Sequence, residues 1–270
     1  MLALSVLASC SSETFQTPLV LGGVTVEPEV LRHGRSLYGR HCARCHGMKG
    51  DGRTTAMRGQ FPPPDLRMGQ YKYVSVAHNS LPLDEDLIRT IREGLGGQRM
   101  PAFDFLNKKE LDAVTNYIKT LSPRWKTEKT GAAVPIPNDP WPKESTTEAS
   151  QRGSYIYHAV ARCWSCHPAY TTTEKLRGMM KTKGWGEQKD ILIRPHANHP
   201  VPMDTPHGQM IPPDFRDTNL ALGCKPEPLI RSIGVGITHS GMPGWSESLN
   251  PKDLWSIVHY VQRLCEAEIP

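Results

Sequence analysis

The 270-residue sequence predicts a mostly α-helical protein built from two similar domains in tandem. Two observations support this prediction. The five-residue pattern C-x-x-C-H occurs once in each half of the chain, beginning at Cys42 and at Cys163. Segments with apolar residues at i, i+3 and i+4, the spacing of one helix face, lie before and after each copy. The same order of elements therefore occurs twice, as expected of an internal duplication.

The first and last predicted helices of each half carry the residues that we expect to hold that half together. The first helix covers Glu29 to Arg40 or Ala149 to Ala161, and each contains a glycine that leaves room for a close helix crossing. The last helix covers Asn107 to Leu121 or Asn250 to Leu264, and each begins at asparagine, a favoured N-cap residue. We expect the crossings at Gly34 with Tyr117 and at Gly153 with Tyr260.

A third predicted helix in each half leads into a loop that contains a Met-Pro pair. The helices cover Asp84 to Leu95 and Glu227 to Val235, and glycines follow both of them. Glycine commonly ends a helix because it adopts the left-handed backbone conformation without steric cost. The loops then present Met100 and Met242 in the same sequence context. Other methionines lie outside this context, and most methionines in proteins simply fill gaps in a core. They are Met48, Met57, Met68, Met203 and Met210.

The C-x-x-C-H motif itself indicates covalently attached haem. Its two thiols add to the vinyl groups of the porphyrin, and the histidine that follows becomes the proximal ligand of the iron. A C-x-x-C redox pair has no need of that histidine, and a zinc site more often supplies a second pair of ligands. We therefore interpret the motifs as two haem c attachment sites, with His46 and His167 as proximal ligands. The attaching thiols are Cys42, Cys45, Cys163 and Cys166.

A proline-rich element follows each motif, at Pro62 to Arg67 and at Pro212 to Arg216. Proline removes a backbone donor and holds the chain extended, so one interpretation is a rigid turn. The other is that a proline carbonyl accepts a hydrogen bond from the proximal histidine while the arginine reaches a haem propionate. The repetition of the element favours this second interpretation. It assigns these roles to Pro63, Arg67, Pro213 and Arg216.

Composition and charge fit a haem protein whose partners are other proteins and not nucleic acid. Hydrophobic residues make up 38% of the chain and the mean hydropathy is -0.46, which is low unless buried porphyrins add apolar volume to the core. The formal net charge is +5, without a basic–aromatic pattern for nucleic acid. A basic cluster around the first motif is either a solvated face or a docking surface for an acidic redox partner. Its members are Arg40, Arg44, Lys49, Arg53 and Arg58.

The N-terminus predicts attachment to a membrane by lipid. Met1 to Ser9 is apolar, and Leu7 to Cys10 resembles a bacterial lipobox, although no Lys or Arg precedes it as in signal peptides. Acylation of Cys10 would tether the protein to the periplasmic face of the bacterial inner membrane, the side on which haem is attached covalently. The alternative is a short apolar tail with an incidental cysteine. No stretch reaches the roughly 18 apolar residues of a transmembrane helix.

The cysteine count leaves two residues for another role. Of seven cysteines, four attach haem and Cys10 takes the lipid, so Cys224 and Cys265 remain. An oxidising compartment allows these two to pair. They form either a disulfide or two buried free thiols.

The predicted domain boundaries follow from the duplication. Residues 1–26 are the anchor and an extension, 27–121 the first domain, 122–148 a proline-rich linker and 149–270 the second domain. An insertion in the second domain, at about 169–210, is longer than ordinary connections. It contains polar residues that form either a metal site or, as we expect, a solvated or partner-contacting loop. These residues are His196, His199, Asp204 and His207.

With these residues in place, the chain resembles tandem class I-type cytochrome c domains, and specifically a dihaem c-type cytochrome that is a lipoprotein subunit of a respiratory complex. The resemblance covers most of both halves but neither the linker nor the insertion. It implies a mostly α fold of two cytochrome c-like helical domains, each wrapped around one covalently bound haem c. It also implies that His46 with Met100 ligates the first iron and His167 with Met242 the second.

The resemblance further implies one-electron transfer in a periplasmic or membrane-surface respiratory chain. The protein would be a subunit of, or a shuttle to, a quinol-oxidising complex or a haem–copper oxidase, or it would exchange electrons with a small electron carrier. Methionine opposite histidine saturates the iron and raises its reduction potential, so we expect no catalysis by the chain itself. The alternatives are a dihaem peroxidase, which needs a displaceable ligand on one iron, and the electron-accepting subunit of a periplasmic dehydrogenase.

Overall fold

The computed structural model describes residues 15–57, 63–96, 100–182, 198–205, 208–217 and 220–266. Over these residues the chain is mostly helical, as the sequence predicts. The helices are α1 (Pro28–His41), α2 (Ala43–His46), α3 (Asp84–Glu93), α4 (Lys108–Thr120), α5 (Arg124–Thr127), α6 (Thr146–Tyr155), α7 (Thr173–Thr182), α8 (Pro226–Val235) and α9 (Pro251–Glu266). A π-helical turn follows α6 at Ile156–Val160, and 3-10 turns lie at Thr55–Met57, Leu66–Met68, Lys143–Ser145 and Cys163–Ser165.

Two short antiparallel hairpins complete the described elements. Strand β1 (Leu19–Leu21) pairs with β2 (Val24–Val26), and β3 (Met203–Thr205) pairs with β4 (Gly208–Met210). In the described part of the chain, no helix is both long enough and apolar enough to span a bilayer.

The chain divides into two compact units. One contains the described residues as far as Gly69 together with Leu106–Thr130, and the other contains Gln70–Phe105 and the residues from Gly131 onward. The domain boundaries predicted from the duplication, 27–121 and 149–270, stay a prediction.

In the first unit, α1 packs along α4 and the two helices meet at a glycine. A Cβ atom at Gly34 would overlap the carbonyl oxygen of Ala113 and lie 2.8 Å from the Cβ of Tyr117. Helix α4 begins at the predicted asparagine, since Asn107 and Glu110 each accept a hydrogen bond from the other's backbone N–H. The expected crossing of the first and last helices is therefore present in this half.

In the second unit, α6 packs along α9 in the same way. A Cβ atom at Gly153 would overlap the carbonyl oxygen of Ser256 and lie 2.8 Å from the Cβ of Tyr260. Behind the crossing, the apolar faces of α6, α8 and α9 form one buried cluster. Its fully buried members include Ala149, Ile230, Leu254, Ile257, Val258 and Val261.

The helix predicted over Ala149 to Ala161 differs from the structure at its C-terminal end. It changes to a π-helical turn at Ile156, and Ala161 N–H donates to the carbonyl oxygen of Ile156 at 2.8 Å. The buried imidazole of His158 contacts the carbonyl oxygens of Ser154 and Ala169, and the indole N–H of Trp164 donates to the carbonyl oxygen of His158. These hydrogen bonds hold the side chains of His158 and Trp164 at the π-helical turn.

Residues 131–148 of the proline-rich linker belong to the second unit and are held there by hydrogen bonds. Val134 N–H donates to the carbonyl oxygen of Ser75 at 2.7 Å. Further on, the Trp141 indole donates to Ser256 Oγ at 3.1 Å, and the Trp255 indole of α9 donates to the carbonyl oxygen of Pro137 at 2.9 Å. This part of the linker is therefore attached to the second unit by hydrogen bonds at both ends.

The insertion of the second half also packs against its own unit. Leu176 and Met180 of α7 are buried with Tyr157, Trp164 and Tyr260. Residues 183–197, which include His196, lie outside the described residues, and so does His207.

Cys224 and Cys265 form a disulfide in the structure, with their Cα atoms 6.3 Å apart. Cys224 precedes α8, and Cys265 lies in the last turn of α9. The bond therefore ties these two helices together at one end.

Candidate functional site

The two C-x-x-C-H motifs fold into the same turn. Cys45 and His46 N–H groups donate to the carbonyl oxygen of Cys42 at 3.1 and 2.9 Å. The corresponding residues of the second motif, Cys166 and His167, donate to the carbonyl oxygen of Cys163 at 3.1 and 2.9 Å. In a helical turn, residues three apart lie on one face, so the geometry presents both thiols of each motif together.

A tyrosine in the helical segment before each motif holds the turn, Tyr38 from α1 and Tyr157 from the π-helical turn. The Tyr38 hydroxyl donates to the carbonyl oxygen of Gly47 at 2.7 Å, and the Tyr157 hydroxyl donates to that of Pro168 at 2.7 Å. In both halves the acceptor is the residue directly after the motif histidine. Burial raises the pKa of Tyr157 well above its ordinary value, so this hydroxyl stays a donor.

The four motif cysteines are free thiols in the structure. Burial, with the neighbouring thiol as a smaller cause, raises the pKa of Cys42 to about 12. Burial likewise raises the pKa of Cys163 to about 12. Reactive C-x-x-C redox pairs have a lowered thiol pKa, so these values disfavour the redox-pair interpretation.

Both motif histidines have the protonation state that iron binding needs. Burial lowers the pKa of His46 and of His167, which keeps the imidazoles neutral. His167 Nδ1 lies 3.0 Å from the carbonyl oxygen of Pro213, and a carbonyl oxygen can only accept. The proton therefore sits on Nδ1, and the Nε2 lone pair is left for a metal. The ring also stacks on Phe215 at 4.6 Å between centroids.

The first motif differs at the same atom. His46 Nδ1 is buried and has no hydrogen-bond partner among the described residues. The carbonyl predicted to accept from this histidine, that of Pro63, instead lies 2.5 Å from the position of a Cβ at Gly52. The motif histidines of the two halves thus have different hydrogen bonding among the described residues.

The two proline elements end in identical ion pairs. Arg67 N–H donates to Asp65 Oδ1 at 3.0 Å and its Nη2 lies 2.6 Å from Asp65 Oδ2. Arg216 N–H donates to Asp214 Oδ1 at 3.0 Å and its Nη2 lies 2.8 Å from Asp214 Oδ2. The side chains of Arg67 and Arg216 are partly exposed. The predicted contact of each arginine with a haem propionate stays a prediction.

The described ends of the two Met-Pro loops are joined by the same backbone hydrogen bond. Leu95 N–H donates to the carbonyl oxygen of Met100 at 2.9 Å, and Ile237 N–H donates to that of Met242 at 3.1 Å. Gly94 and Gly236, which end α3 and α8, have φ of 69° and 84°. A Cβ at either glycine would come within 2.7 Å of the methionine carbonyl oxygen, so only glycine fits.

In the second half, residues from three predicted parts of the site border the same apolar cluster. Cys163 of the motif, Phe215 of the proline element and Met242 of the loop all pack against the buried cluster of α6, α8 and α9. The motif, the proline element and the Met-Pro loop of this half therefore share one apolar core.

Sequence reasoning missed several contacts of these sites. The Tyr170 hydroxyl accepts the N–H of Phe215 at 2.7 Å, and the guanidinium of Arg216 lies 5.1 Å from the centre of the Tyr170 ring. The Thr54 hydroxyl donates to the carbonyl oxygen of Cys45 at 3.3 Å. No sequence motif marks Tyr170 or Thr54. Within the described ranges, no group of three or more His, Cys, Asp or Glu could hold a metal ion.

Comparison with known proteins agrees with this geometry. Residues 29–118 match the family described as cytochrome c oxidase, cbb3-type, subunit III. The chain contains a cytochrome c domain. Such a domain binds haem c covalently, and the first motif supplies the thiols and the neutral buried histidine that fit this cofactor.

A solved structure shares the fold over most of the cytochrome chain. It is a chain of the reducing HAO-like protein complex of Kuenenia stuttgartiensis, with a TM-score of 0.68 and 24% sequence identity. The alignment covers 86% of this chain and 95% of that chain. No curated protein sequence matches.

Proposed function

We propose that this protein is a dihaem c-type cytochrome that transfers single electrons in a respiratory chain at the periplasmic face of the bacterial inner membrane. It acts as a subunit of, or a shuttle to, a quinol-oxidising complex or a haem–copper oxidase. One observation supports the proposal of a second haem. The motif turn, the proline element and the Met-Pro loop of the first half recur in the second half, beyond the matched residues 29–118.

The residues of each half have distinct tasks in this function. The four motif cysteines attach the porphyrins, and His46 and His167 present a neutral nitrogen to iron. Bound haem supplies one-electron chemistry, which the protein tunes through axial ligands and burial. Met100 and Met242 lie in matching loops and serve as the second ligands. Because both irons are then saturated, the chain offers no position for peroxide, which favours electron transfer over a peroxidase.

The partners are redox proteins. The structural neighbour belongs to a complex described as reducing and HAO-like, which supports assembly with other redox subunits and keeps the electron-accepting subunit of a dehydrogenase as the second candidate. The exposed side chains of Arg40, Arg44, Lys49 and Arg53 around the first motif offer a surface for an acidic partner. Arg58 lies outside the described residues.

Substitution of the methionines tests this function. Met100→His or Met242→His keeps a six-coordinate haem but lowers the reduction potential of that haem alone, because imidazole stabilises ferric iron more than a thioether does. Met100→Ala opens the first iron to cyanide or carbon monoxide. Spectroelectrochemical titration and the weak red absorption band of iron–methionine bonding measure both effects. Unchanged spectra in both variants would show that these methionines are not ligands.

A further inference from the structure

A short segment of the insertion contacts the residue before each proposed ligand of the second iron. Val201 N–H donates to the carbonyl oxygen of Cys166 at 2.8 Å, and Cys166 directly precedes His167. Two residues further on, the terminal methyl group of Met203 lies 2.6 Å from the position that a Cβ at Gly241 would occupy. Gly241 directly precedes Met242. The segment Val201–Met203 therefore reaches from the haem motif to the methionine loop.

The structure holds this segment in place from both sides. Met203 begins β3, and its partner across the hairpin is Met210 of β4. Before the segment, the Asn198 side chain donates to the carbonyl oxygen of Thr171 at 3.2 Å. Thr171 leads into α7, whose Leu176 and Met180 are buried in the unit. The contacts of Val201 and Met203 thus belong to an anchored element and not to a free loop.

The contact between Met203 and Gly241 is close. Gly241 has φ of 80°, and Met203 supplies the only atoms within 4 Å of its Cβ position among the described residues. The side chain of Met203 fills the space that any residue larger than glycine would need. The Met-Pro loop is also held by Ser240, whose hydroxyl accepts the N–H of Met242 at 3.1 Å.

We propose that Val201–Met203 is a clasp that positions the two ligand-bearing loops of the second haem and keeps Met242 on the iron. This inference rests on the proposed dihaem function. The Met242 loop is partly exposed, and a thioether is a weak ligand that an external base can displace. Packing Met203 against Gly241 restricts the movement of the loop, so less order is lost when the iron–sulfur bond forms. Met203 is a positioning residue and does not itself bind the iron.

The test uses the full-length holoprotein with Met100→His, in which the iron–methionine band reports the second haem alone. Imidazole is titrated as the external ligand, and the band and the haem potential are followed. Met203→Ala should raise the affinity of the second haem for imidazole on the order of tenfold. Met203→Leu, which retains most of the packing volume, should restore the original affinity. Met210→Ala is the matched control, because Met210 lies opposite Met203 but does not touch Gly241.

The outcomes separate this inference from the function on which it rests. If Met242→Ala leaves the band intact, Met242 is not the ligand and both proposals fail at this site. If Met242→Ala abolishes the band while Met203→Ala leaves the imidazole affinity unchanged, the clasp is overturned and the ligand assignment stands. Equal effects of Met203→Ala and Met210→Ala would show loss of hairpin stability and would also overturn the clasp.

Discussion

At the scale of single residues, Gly34 and Gly153 determine how closely the helices approach. Gly34→Ala or Gly153→Ala places a methyl group on a carbonyl oxygen of the facing helix, so the helices must move apart. We expect each change to lower the free energy of unfolding by about 1–3 kcal/mol, the usual cost of overpacking. Denaturant titration of the purified holoprotein measures it.

Gly39 offers a control on the same helix as Gly34. Nothing lies within 4 Å of its Cβ position, and the residue is exposed. Gly39→Ala should therefore stabilise the protein by up to about 1 kcal/mol, through helix propensity. If Gly34→Ala is as harmless as Gly39→Ala, the close crossing is not needed for stability.

Single residues also distinguish the two histidine environments. The carbonyl oxygen of Pro213 fixes the tautomer of His167 and Phe215 stacks on its ring, whereas His46 has neither contact among the described residues. Phe215 corresponds to Leu66 in the other proline element, so the loss of stacking is visible in the sequence. The hydrogen-bond difference is not, because it depends on the path of the backbone between motif and prolines.

At the scale of elements, the sequence predicted most helices to within a few residues. Apolar periodicity located α1, α4 and α9, and the asparagine caps located the starts of α4 and α9. Glycine after α3 and α8 predicted the sharp exit into each Met-Pro loop. These signals are local, since periodicity, capping and backbone freedom depend on neighbouring residues.

The features that we did not predict from the sequence depend on tertiary contacts. The π-helical turn at Ile156–Val160 arises where His158 and Trp164 find hydrogen-bond partners, and periodicity contains no sign of it. The contact between Met203 and Gly241 joins residues far apart in sequence, in an insertion without regular apolar spacing. The motif residues of the site were predictable, whereas the contacts that orient them were not.

At the scale of the whole molecule, charge around the first motif bears on partner choice. Arg44→Glu with Arg53→Glu should slow electron exchange with an acidic redox partner and weaken its salt dependence, while both haem spectra stay unchanged. Salt screens steered association with a Debye length of about 10 Å at 0.1 M. Stopped-flow rates at several salt concentrations measure this.

Lys175→Glu with Arg177→Glu, two exposed residues of α7, changes the net charge by the same amount and is a control for net charge alone. It should leave the rate and its salt dependence nearly as they are. If the variant with Arg44→Glu and Arg53→Glu behaves like this control, the basic cluster is a solvated face and the partner docks elsewhere.

Membrane attachment is a second prediction for the whole molecule, and it depends on Cys10, which lies outside the described residues. Cys10→Ser should move the protein from the membrane fraction to the soluble fraction, because the residue loses all acyl chains. Fractionation in a strain without its redox partners measures this, with Ser12→Ala as the control. Continued retention of the Cys10→Ser variant would count against lipidation.

If both motifs bind haem as proposed, the disulfide between Cys224 and Cys265 places opposite redox demands on the maturation of the protein. Haem attachment needs four reduced thiols, whereas this pair must be oxidised in the same compartment. Both disulfide cysteines lie C-terminal to both motifs. Under the proposed function, an exported chain would present the four motif thiols before Cys224 and Cys265. The order of the cysteines along the chain would then allow thioether formation at the motifs to precede oxidation of this pair.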